Sequence, residues 1–167
     1  EEGKAGGQAE AHPAEAAEEA GRQEEALAMA DDANCVFCKI IAGTIPSFKL
    51  YEDAATLAFL DINPGNPGHA LVIPKAHAAN LYASADKDLA AVMVTVRKVA
   101  TAIEKTVKPD GLNLLQANGP GAAQSVFHFH MHILPRRNGD ELKMNWGLKP
   151  GDKGEIAALA EKVRANL

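Results

Sequence analysis

Three histidines alternate with apolar residues at His128, His130 and His132. Side chains of a β-strand point alternately to its two faces, so a strand here would place all three imidazoles on one face. The residues between them, together with Phe127 and Ile133, would share the other face and pack against a helix. Buried imidazoles need hydrogen-bond partners, so such a run predicts a functional site. A zinc chelate of two of the rings is one alternative.

Cys35 and Cys38 form a second group, with the spacing Cys-x-x-Cys. The residues before them are acidic and show no basic and apolar export signal. The spacing therefore favours a metal half-site or a redox pair over a structural disulfide, and we expect a cytoplasmic protein. Two reduced thiols in the core are the alternative.

The segments around these residues predict an α+β fold with an antiparallel sheet, because strands outnumber helices and turns join most of them. The candidate strands are Phe48–Glu52, Thr56–Asp61, His69–Pro74, Leu112–Ala117 and Val126–Leu134.

A long helix is predicted between Ser84, as its N-terminal cap, and Val107, because apolar residues recur at helical spacing. Cys35–Ile41 is predicted to be a short helical turn or a loop. A further short helix near the C-terminus would carry three spaced apolar residues, Ile156, Leu159 and Val163.

Composition divides the chain into three parts. Residues 1–33 are rich in Ala, Glu and Gly and predict a disordered or marginally helical extension, in which Met29 is a plausible natural start. Residues 34–137 form the predicted domain, and residues 138–167 form a C-terminal loop and short helix.

Charge and hydropathy exclude two classes of partner. Most of the net charge of −5 comes from eight glutamates within residues 1–28, and the rest of the chain is close to neutral. Because a near-neutral domain has no broad basic face, we expect no nucleic-acid binding. No segment has the roughly 18 apolar residues that a membrane span requires, so we expect no membrane association.

The segment His128–Leu134 resembles the signature of the histidine triad (HIT) family at all seven positions. The resemblance extends from Cys35 to Arg137. It includes three further segments, Phe59–Pro64, Gly68–His77 and Gln124–Phe127. Within the family, the chain is most similar to the Hint-like nucleoside phosphoramidases.

The resemblance implies an enzyme, a HIT-type hydrolase that resembles an adenosine 5'-monophosphoramidase. It would bind a purine nucleotide such as AMP or GMP and cleave the bond between the α-phosphate and an amine. His130 would attack phosphorus and form a nucleotidyl-histidine intermediate, which suits a neutral imidazole. His132 would contact the α-phosphate, His69 would lie near it, and Ser125 would help deliver a proton to the leaving group.

The resemblance also implies the nucleotide-binding residues. Asp61 would accept hydrogen bonds from the ribose hydroxyls, and Asn118 would lie at the phosphate and ribose side. An Asp that starts a turn is the alternative for Asp61. The apolar walls around the base, any of which could equally be ordinary core, would be Phe37, Ile40, Phe59, Ile62 and Leu71.

The cysteine pair departs from the metal-free members of this branch but resembles a zinc-bearing variety. Cys35, Cys38, His77 and His128 would then close a Cys2His2 tetrahedron around a structural zinc ion. His69 is the alternative third ligand.

The implied fold is a five-stranded antiparallel sheet with two main helices. Two protomers would join into a homodimer with a ten-stranded sheet, through the 112–117 strand and the 84–107 helix. A dinucleoside polyphosphate hydrolase is an alternative activity, with Lys143, Trp146 and the C-terminal loop shaping the choice. A nucleotide-binding scaffold with incidental hydrolysis is the alternative of another class.

Overall fold

The computed structural model of the chain describes residues 34–143 and 149–167. Five antiparallel strands form one sheet in the order β1-β2-β3-β5-β4, with β1 and β4 at its edges. The elements are α1 (Val36–Ile41), β1 (Phe48–Glu52), β2 (Thr56–Leu60), β3 (Ala70–Pro74), α2 (Asp86–Val107), β4 (Gly111–Leu115), β5 (Met131–Arg136) and α3 (Lys153–Arg164).

This architecture confirms the predicted α+β class. The predicted N-terminal extension, residues 1–33, and Trp146 lie outside the described residues. Among the helices that are described, none is long and apolar enough to span a bilayer.

The central strands β2 and β3 are buried on both faces, and two apolar layers alternate along them. Ala58, Ala70 and Val72 point to α2 and pack against its buried stripe, which includes Val92 and Val96. The neighbouring residues of the same strands point the other way and pack under α1 in a second layer with four members from the sheet, Leu57, Phe59, Leu71 and Ile73. Alternation along each strand therefore separates a helix-covered face from a second face, which holds the cysteines and histidines.

Helix α2 begins one residue later than a Ser84 cap requires, so the predicted cap is wrong. Ala85 is the residue before the helix, and the Ser84 hydroxyl donates to the Asn80 carbonyl at 2.8 Å. The reason is a single 3₁₀ turn, Leu81–Ala83, before the helix. The Asn80 side chain caps this turn, and Ser84 directly follows it. The helix ends at Val107, where Lys108 takes up a left-handed conformation with φ of 50°.

Strand β5 starts at Met131, five residues later than predicted, and ends at Arg136. Pairing with β3 extends only from Met131 to Ile133, and the chain bends at residues 126–128 instead of continuing along the sheet. The apolar alternation nevertheless holds from Phe129 to Ile133, which both lie in the layer under α2. Phe127 does not join them and is exposed.

Candidate functional site

Four side chains from three separate segments form what we call the thiol cluster: Cys35, Cys38, His77 and His128. Cys35 precedes α1, Cys38 lies in its first turn, His77 follows β3, and His128 precedes β5. One donor atom from each lies within 4.8 Å of all the others. His128 Nδ1 lies 3.5 Å from Cys35 Sγ and 3.6 Å from Cys38 Sγ, and 3.3 Å separates it from His77 Nδ1.

These separations fit a tetrahedral zinc site. Bonds of about 2.3 Å to sulfur and about 2.0–2.1 Å to nitrogen give tetrahedral edges of roughly 3.3–3.8 Å between donor atoms. The distance from Cys38 Sγ to His77 Nδ1, 3.3 Å, also falls in this range. Neither cysteine forms a disulfide, so both are available as ligands.

The orientation of His128 supports the same conclusion. Its Nε2 lies 2.9 Å from the Pro74 carbonyl, which can only accept, so Nε2 carries the proton and Nδ1 presents a lone pair to the cluster. Burial lowers the pKa of His128 to about 4, helped by His77 and His130 and opposed by the bond to Pro74. The ring is thus neutral near pH 7, as a metal ligand must be.

A second group, which we call the acid–imidazole cluster, contains Asp61, His69, His130 and His132. Asp61 follows β2, His69 precedes β3, and the β-sheet register pairs Leu71 with His132, so the three segments meet at one end of the central strands. His69 Nε2 lies 2.9 Å from His132 Nδ1, and Asp61 Oδ2 lies 3.6 Å from His69 Nδ1. The rings of His130 and His132 are 4.9 Å apart.

Gly68 allows the backbone to reach this position. Its φ of +87° is in the left-handed region, and a Cβ atom there would lie 2.9 Å from the Val107 side chain. A larger residue would therefore push the turn that leads into His69 away from the end of α2.

Hydrogen bonds determine which nitrogen of each ring carries the proton. His130 Nδ1 lies 2.6 Å from the His128 carbonyl, so Nδ1–H donates and Nε2 keeps its lone pair. The Gly65 N–H donates to His69 Nδ1 at 3.2 Å. His69 therefore donates from Nε2 to His132 Nδ1, and the proton of His132 is on Nε2.

The rings of His130 and His132 are both neutral near pH 7. Burial lowers the pKa of His130. Burial, and then the neighbouring His130 and His69, lower the pKa of His132 to about 4, while Asp61 opposes the shift. The cluster thus places a basic nitrogen beside an N–H donor, which suits attack on an electrophile that carries anionic oxygens.

The predicted apolar walls divide into buried and accessible residues. Phe37, Phe59 and Leu71 belong to the buried layer under α1 and offer a ligand little surface. The Phe37 ring lies edge-on against His130, at 5.3 Å between centroids. Ile40 is half-buried, and Ile62 is 75% exposed.

Asn118 and Ser125 lie in the glycine-rich loop, and no described hydrogen bond joins them to the imidazoles. The Asn118 Oδ1 accepts from the Leu81 N–H at 2.9 Å, and its amide nitrogen donates to Gln116. Ser125 is exposed.

Gln124 is a structural residue of this loop that the sequence analysis did not assign. Its Oε1 accepts from the Gly119 N–H at 2.8 Å, and its Nε2 donates to the carbonyls of Ala79 and Val126. The side chain is buried. A lone glutamine beside glycines gave no signal for this role, because its partners are main-chain atoms.

A polar network holds the turn between Asp61 and His69. Asn66 Nδ2 donates to Asp140 and to the Pro135 carbonyl, each at 2.9 Å. Hydrogen bonds from Arg136, followed by one from the Arg137 N–H, hold the pKa of Asp140 well below its usual range. The density of Asn, Pro and Gly predicted this turn, but nothing in the sequence pointed to Asp140.

A family model described as the HIT domain matches residues 42–139 of the chain. The protein named Protein hit of Bacillus subtilis is 48% identical over 139 residues, which cover 80% of this chain and 96% of that protein. Adenosine 5'-monophosphoramidase hnt1 of Schizosaccharomyces pombe is 44% identical over 135 residues, which cover 80% of this chain and 98% of that enzyme.

Solved structures agree with these sequence relatives. A HIT family member from Bacillus subtilis superimposes with a TM-score of 0.76 at 44% identity, covering 80% of this chain and 97% of that one. A zinc-bound histidine triad family protein from Mycobacterium smegmatis superimposes with a TM-score of 0.63 at 38% identity, covering 79% and 97%.

Proposed function

The chain belongs to the HIT domain family, and on that premise we propose that it is a nucleotide hydrolase of the adenosine 5'-monophosphoramidase type. The proposed substrate is a purine nucleoside monophosphate, such as AMP or GMP, that carries an amine on its α-phosphate. Three relatives that are 40–44% identical are named adenosine 5'-monophosphoramidases. The observation that carries the proposal is the neutral His130 ring, whose Nδ1–H is held by a carbonyl so that Nε2 keeps its lone pair.

In the proposed reaction, His130 Nε2 attacks the α-phosphorus. A phosphorus–nitrogen bond to the ring forms as the bond to the amine breaks, and the product is a nucleotidyl-histidine. His130 keeps its Nδ1 proton, so positive charge develops on the ring, where the His128 carbonyl stabilises it. Ser125 would pass its hydroxyl proton to the departing amine. Water then attacks phosphorus and gives a proton back to the Ser125 oxygen as the bond to Nε2 breaks, which releases the nucleotide and restores His130.

His132 and His69 would act as a pair on the phosphate. With its proton on Nε2, His132 can donate a hydrogen bond to a phosphate oxygen, and the bond from His69 Nε2–H keeps it in that tautomer. Asp61 is proposed to accept hydrogen bonds from the ribose hydroxyls, with Asn118 beside the phosphate and ribose. The Asp61 Oδ1 accepts from the Asn63 N–H at 2.8 Å, which leaves Oδ2 for the sugar.

Ile40 and Ile62 are the proposed accessible walls for the base. Phe37, Phe59 and Leu71 form the buried layer against which Ile40 packs. Since apolar walls recognise the flat face of a base and not its edge, we expect adenosine and guanosine nucleotides both to bind.

We further propose that zinc fills the thiol cluster as a structural ion, because Cys35, Cys38, His77 and His128 would supply all four positions of a tetrahedron. A homodimer through β4 and α2 is also proposed. Strand β4 is an unpaired edge, and Leu114 on that strand and Met93 on α2 are exposed in the single chain. The cytoplasmic location stays a prediction from the sequence.

The variant His130→Asn tests the proposal. We expect turnover of an adenosine phosphoramidate to fall by about 10⁴-fold or more, because the nucleophile is lost. Affinity for AMP, measured by calorimetry, should change by less than about threefold, since one contact of many is replaced. Rapid quenching of the wild-type reaction should yield a nucleotide attached to the peptide that contains His130.

Three outcomes would contradict the proposal. Label on another residue would exclude His130 as the nucleophile. Faster turnover of diadenosine polyphosphates than of phosphoramidates would favour the polyphosphate hydrolase. Tight AMP binding without turnover of either substrate would favour the scaffold.

A further inference from the structure

His128 belongs to both histidine groups, through different atoms. Its side-chain Nδ1 lies in the thiol cluster, within 3.6 Å of both sulfurs. Its main-chain carbonyl accepts the Nδ1–H of His130 at 2.6 Å. The residue has no exposed surface. Any change in how the thiol cluster holds the His128 ring therefore acts directly on the partner of His130.

Phe37 provides a second connection. It lies between Cys35 and Cys38 in the chain and on α1, and its ring packs edge-on against both His128 and His130, at 5.8 and 5.3 Å between centroids. Because both flanking cysteines belong to the thiol cluster, ligation there also holds α1 and this ring against His130.

The sheet itself does little to restrain this region. Residues 126–130 precede β5, so His128 and His130 have no partner in the described β-ladders. The Phe129 N–H donates to the Ala78 carbonyl at 2.6 Å, next to His77. The segments around His128 and His130 are thus held by this main-chain bond, by the bond from Gln124 to the Val126 carbonyl, by the packing of Phe129 under α2 and by the side chains of the thiol cluster.

We propose that the thiol cluster is a positioning element for His130, acting through His128. A cation shared by His77, His128 and the two sulfurs keeps the His128 carbonyl at His130 Nδ1, and thereby keeps His130 in the Nδ1–H tautomer. The consequence for catalysis rests on the proposed function, whereas the tautomer of His130 can be measured without it. His128 and Phe37 act here through His130 and are positioning residues.

The physical reason lies in what the cluster becomes without a cation. The His77 and His128 Nδ1 atoms lie 3.3 Å apart, so both can present lone pairs only while a cation lies between them. Without the cation, one ring carries its proton on Nδ1 or rotates, and rotation of His128 loses its bond to the Pro74 carbonyl. A displaced His128 carbonyl leaves His130 Nδ1 without its acceptor, so the proton on His130 redistributes between its two nitrogens.

The experiment compares the zinc-loaded protein with the double variant Cys35→Ser, Cys38→Ser. Long-range ¹H–¹⁵N spectra of the imidazoles at pH 7.5 report which nitrogen of each ring is protonated, and the His130→Asn spectrum identifies the His130 signals. We expect the loaded protein to show His130 as a single Nδ1–H tautomer. The double variant should bind no zinc and show a mixture of tautomers, with kcat reduced about 10- to 100-fold and KM changed less than threefold.

A matched control separates positioning from general stability. Val92 lies on α2 and belongs to the apolar layer on the other face of the sheet. Val92→Ala removes apolar volume there and lowers the melting temperature without changing a residue of the thiol cluster. We expect this variant to keep zinc, the Nδ1–H tautomer of His130 and the wild-type kcat.

The proposal is overturned if the folded double variant lacks zinc but keeps His130 wholly as the Nδ1–H tautomer. It is equally overturned if Val92→Ala disturbs the tautomer as much as the cysteine substitutions do. A tautomer shift in a protein that turns over no nucleotide would uphold the coupling and refute the proposed function instead.

Discussion

The thiol cluster and the acid–imidazole cluster lie on the same face of the sheet, yet their nitrogens are arranged in opposite ways. In the thiol cluster, the Nδ1 atoms of His77 and His128 converge with two sulfurs, all within 4.8 Å of one another. In the acid–imidazole cluster, N–H groups and lone pairs alternate, as in the bond from His69 to His132. Converging lone pairs suit a cation, whereas a lone pair beside an N–H suits a phosphate ester.

The contrast shows that the position of one proton decides what a buried histidine can do. A carbonyl at Nε2 directs the His128 lone pair at Nδ1, towards the sulfurs. A carbonyl at Nδ1 leaves the His130 lone pair at Nε2. Main-chain acceptors therefore assign two residues of one His-x-His pair to different chemistry.

The strongest test of this contrast replaces one histidine in each cluster, His69 in the acid–imidazole cluster and His77 in the thiol cluster. His69→Ala should lower kcat/KM for an adenosine phosphoramidate about 10- to 100-fold, because His132 loses the donor that sets its tautomer. Zinc content, measured by atomic absorption, should stay at that of the wild type. His77→Ala should abolish stoichiometric zinc binding, since it removes one of four ligands, and should lower kcat through the positioning of His130 while leaving the bond from His69 to His132 in place.

His69→Gln is the matched control for the catalytic arm. The glutamine amide can donate to His132 Nδ1 much as the His69 Nε2–H does, so we expect partial recovery of kcat/KM. Equal activity of the Ala and Gln variants would mean that the bond to His132 has no catalytic role. Loss of zinc from His69→Ala would assign His69 to the metal instead.

The dependence of the free energy of unfolding on pH tests whether the fold keeps His132 of the acid–imidazole cluster neutral. The folded pKa of His132 is about 4, against an ordinary value of 6.5, because burial disfavours the charged ring. Between these values the unfolded chain binds the proton and the folded chain does not, so the free energy of unfolding falls as the pH falls from 6.5 to 4. Allowing for partial solvent screening, the contribution of His132 is on the order of 1–2 kcal/mol.

Urea unfolding at pH 7.5 and at pH 4.5 measures this effect. The loss of stability on acidification should be smaller in His132→Asn than in the wild type, whereas the two proteins should share the losses that come from their other titrating groups. Parallel curves over this range would show that His132 is not held neutral by the fold.

The smallest expected effect comes from the face of the sheet that packs against α2, on which neither cluster lies. The buried hydroxyls of Thr56 and Thr95 lie 2.8 Å apart between β2 and α2. Thr95→Val keeps the shape and removes that hydrogen bond, so we expect a loss of about 1 kcal/mol in the free energy of unfolding. Zinc content and kcat should not change, and a change in either would mean that the two faces of the sheet are coupled.

The sequence was informative where a local pattern determines the outcome. Apolar runs beside turn residues predicted β2 and β3 to within a residue, and helical spacing predicted α2, because the two strands are buried on both faces whereas the helix buries one stripe. The residue types of the thiol cluster were predicted for the same reason: Cys-x-x-Cys spacing is short and recognisable, and the remaining ligands followed from the family resemblance.

Other features depended on competition between partners, which residue type alone does not reveal. Ser84 is a good cap by residue type, but Asn80 and a 3₁₀ turn displaced it. The His128 end of the predicted strand is pulled out of the sheet towards Cys35 and Cys38. A local pattern does not reveal the second change, because the contacts of His128 with the cysteines span 90 or more residues.

The sequence by itself determined which kinds of atoms are available: imidazole nitrogens, two thiols, and a carboxylate in a turn. Only the tertiary structure decided which nitrogen of each ring carries the proton, because the carbonyls of Pro74 and His128 and the N–H of Gly65 act as partners. Those main-chain groups carry no signature of their own in the sequence, and only the folded chain brings them to the rings.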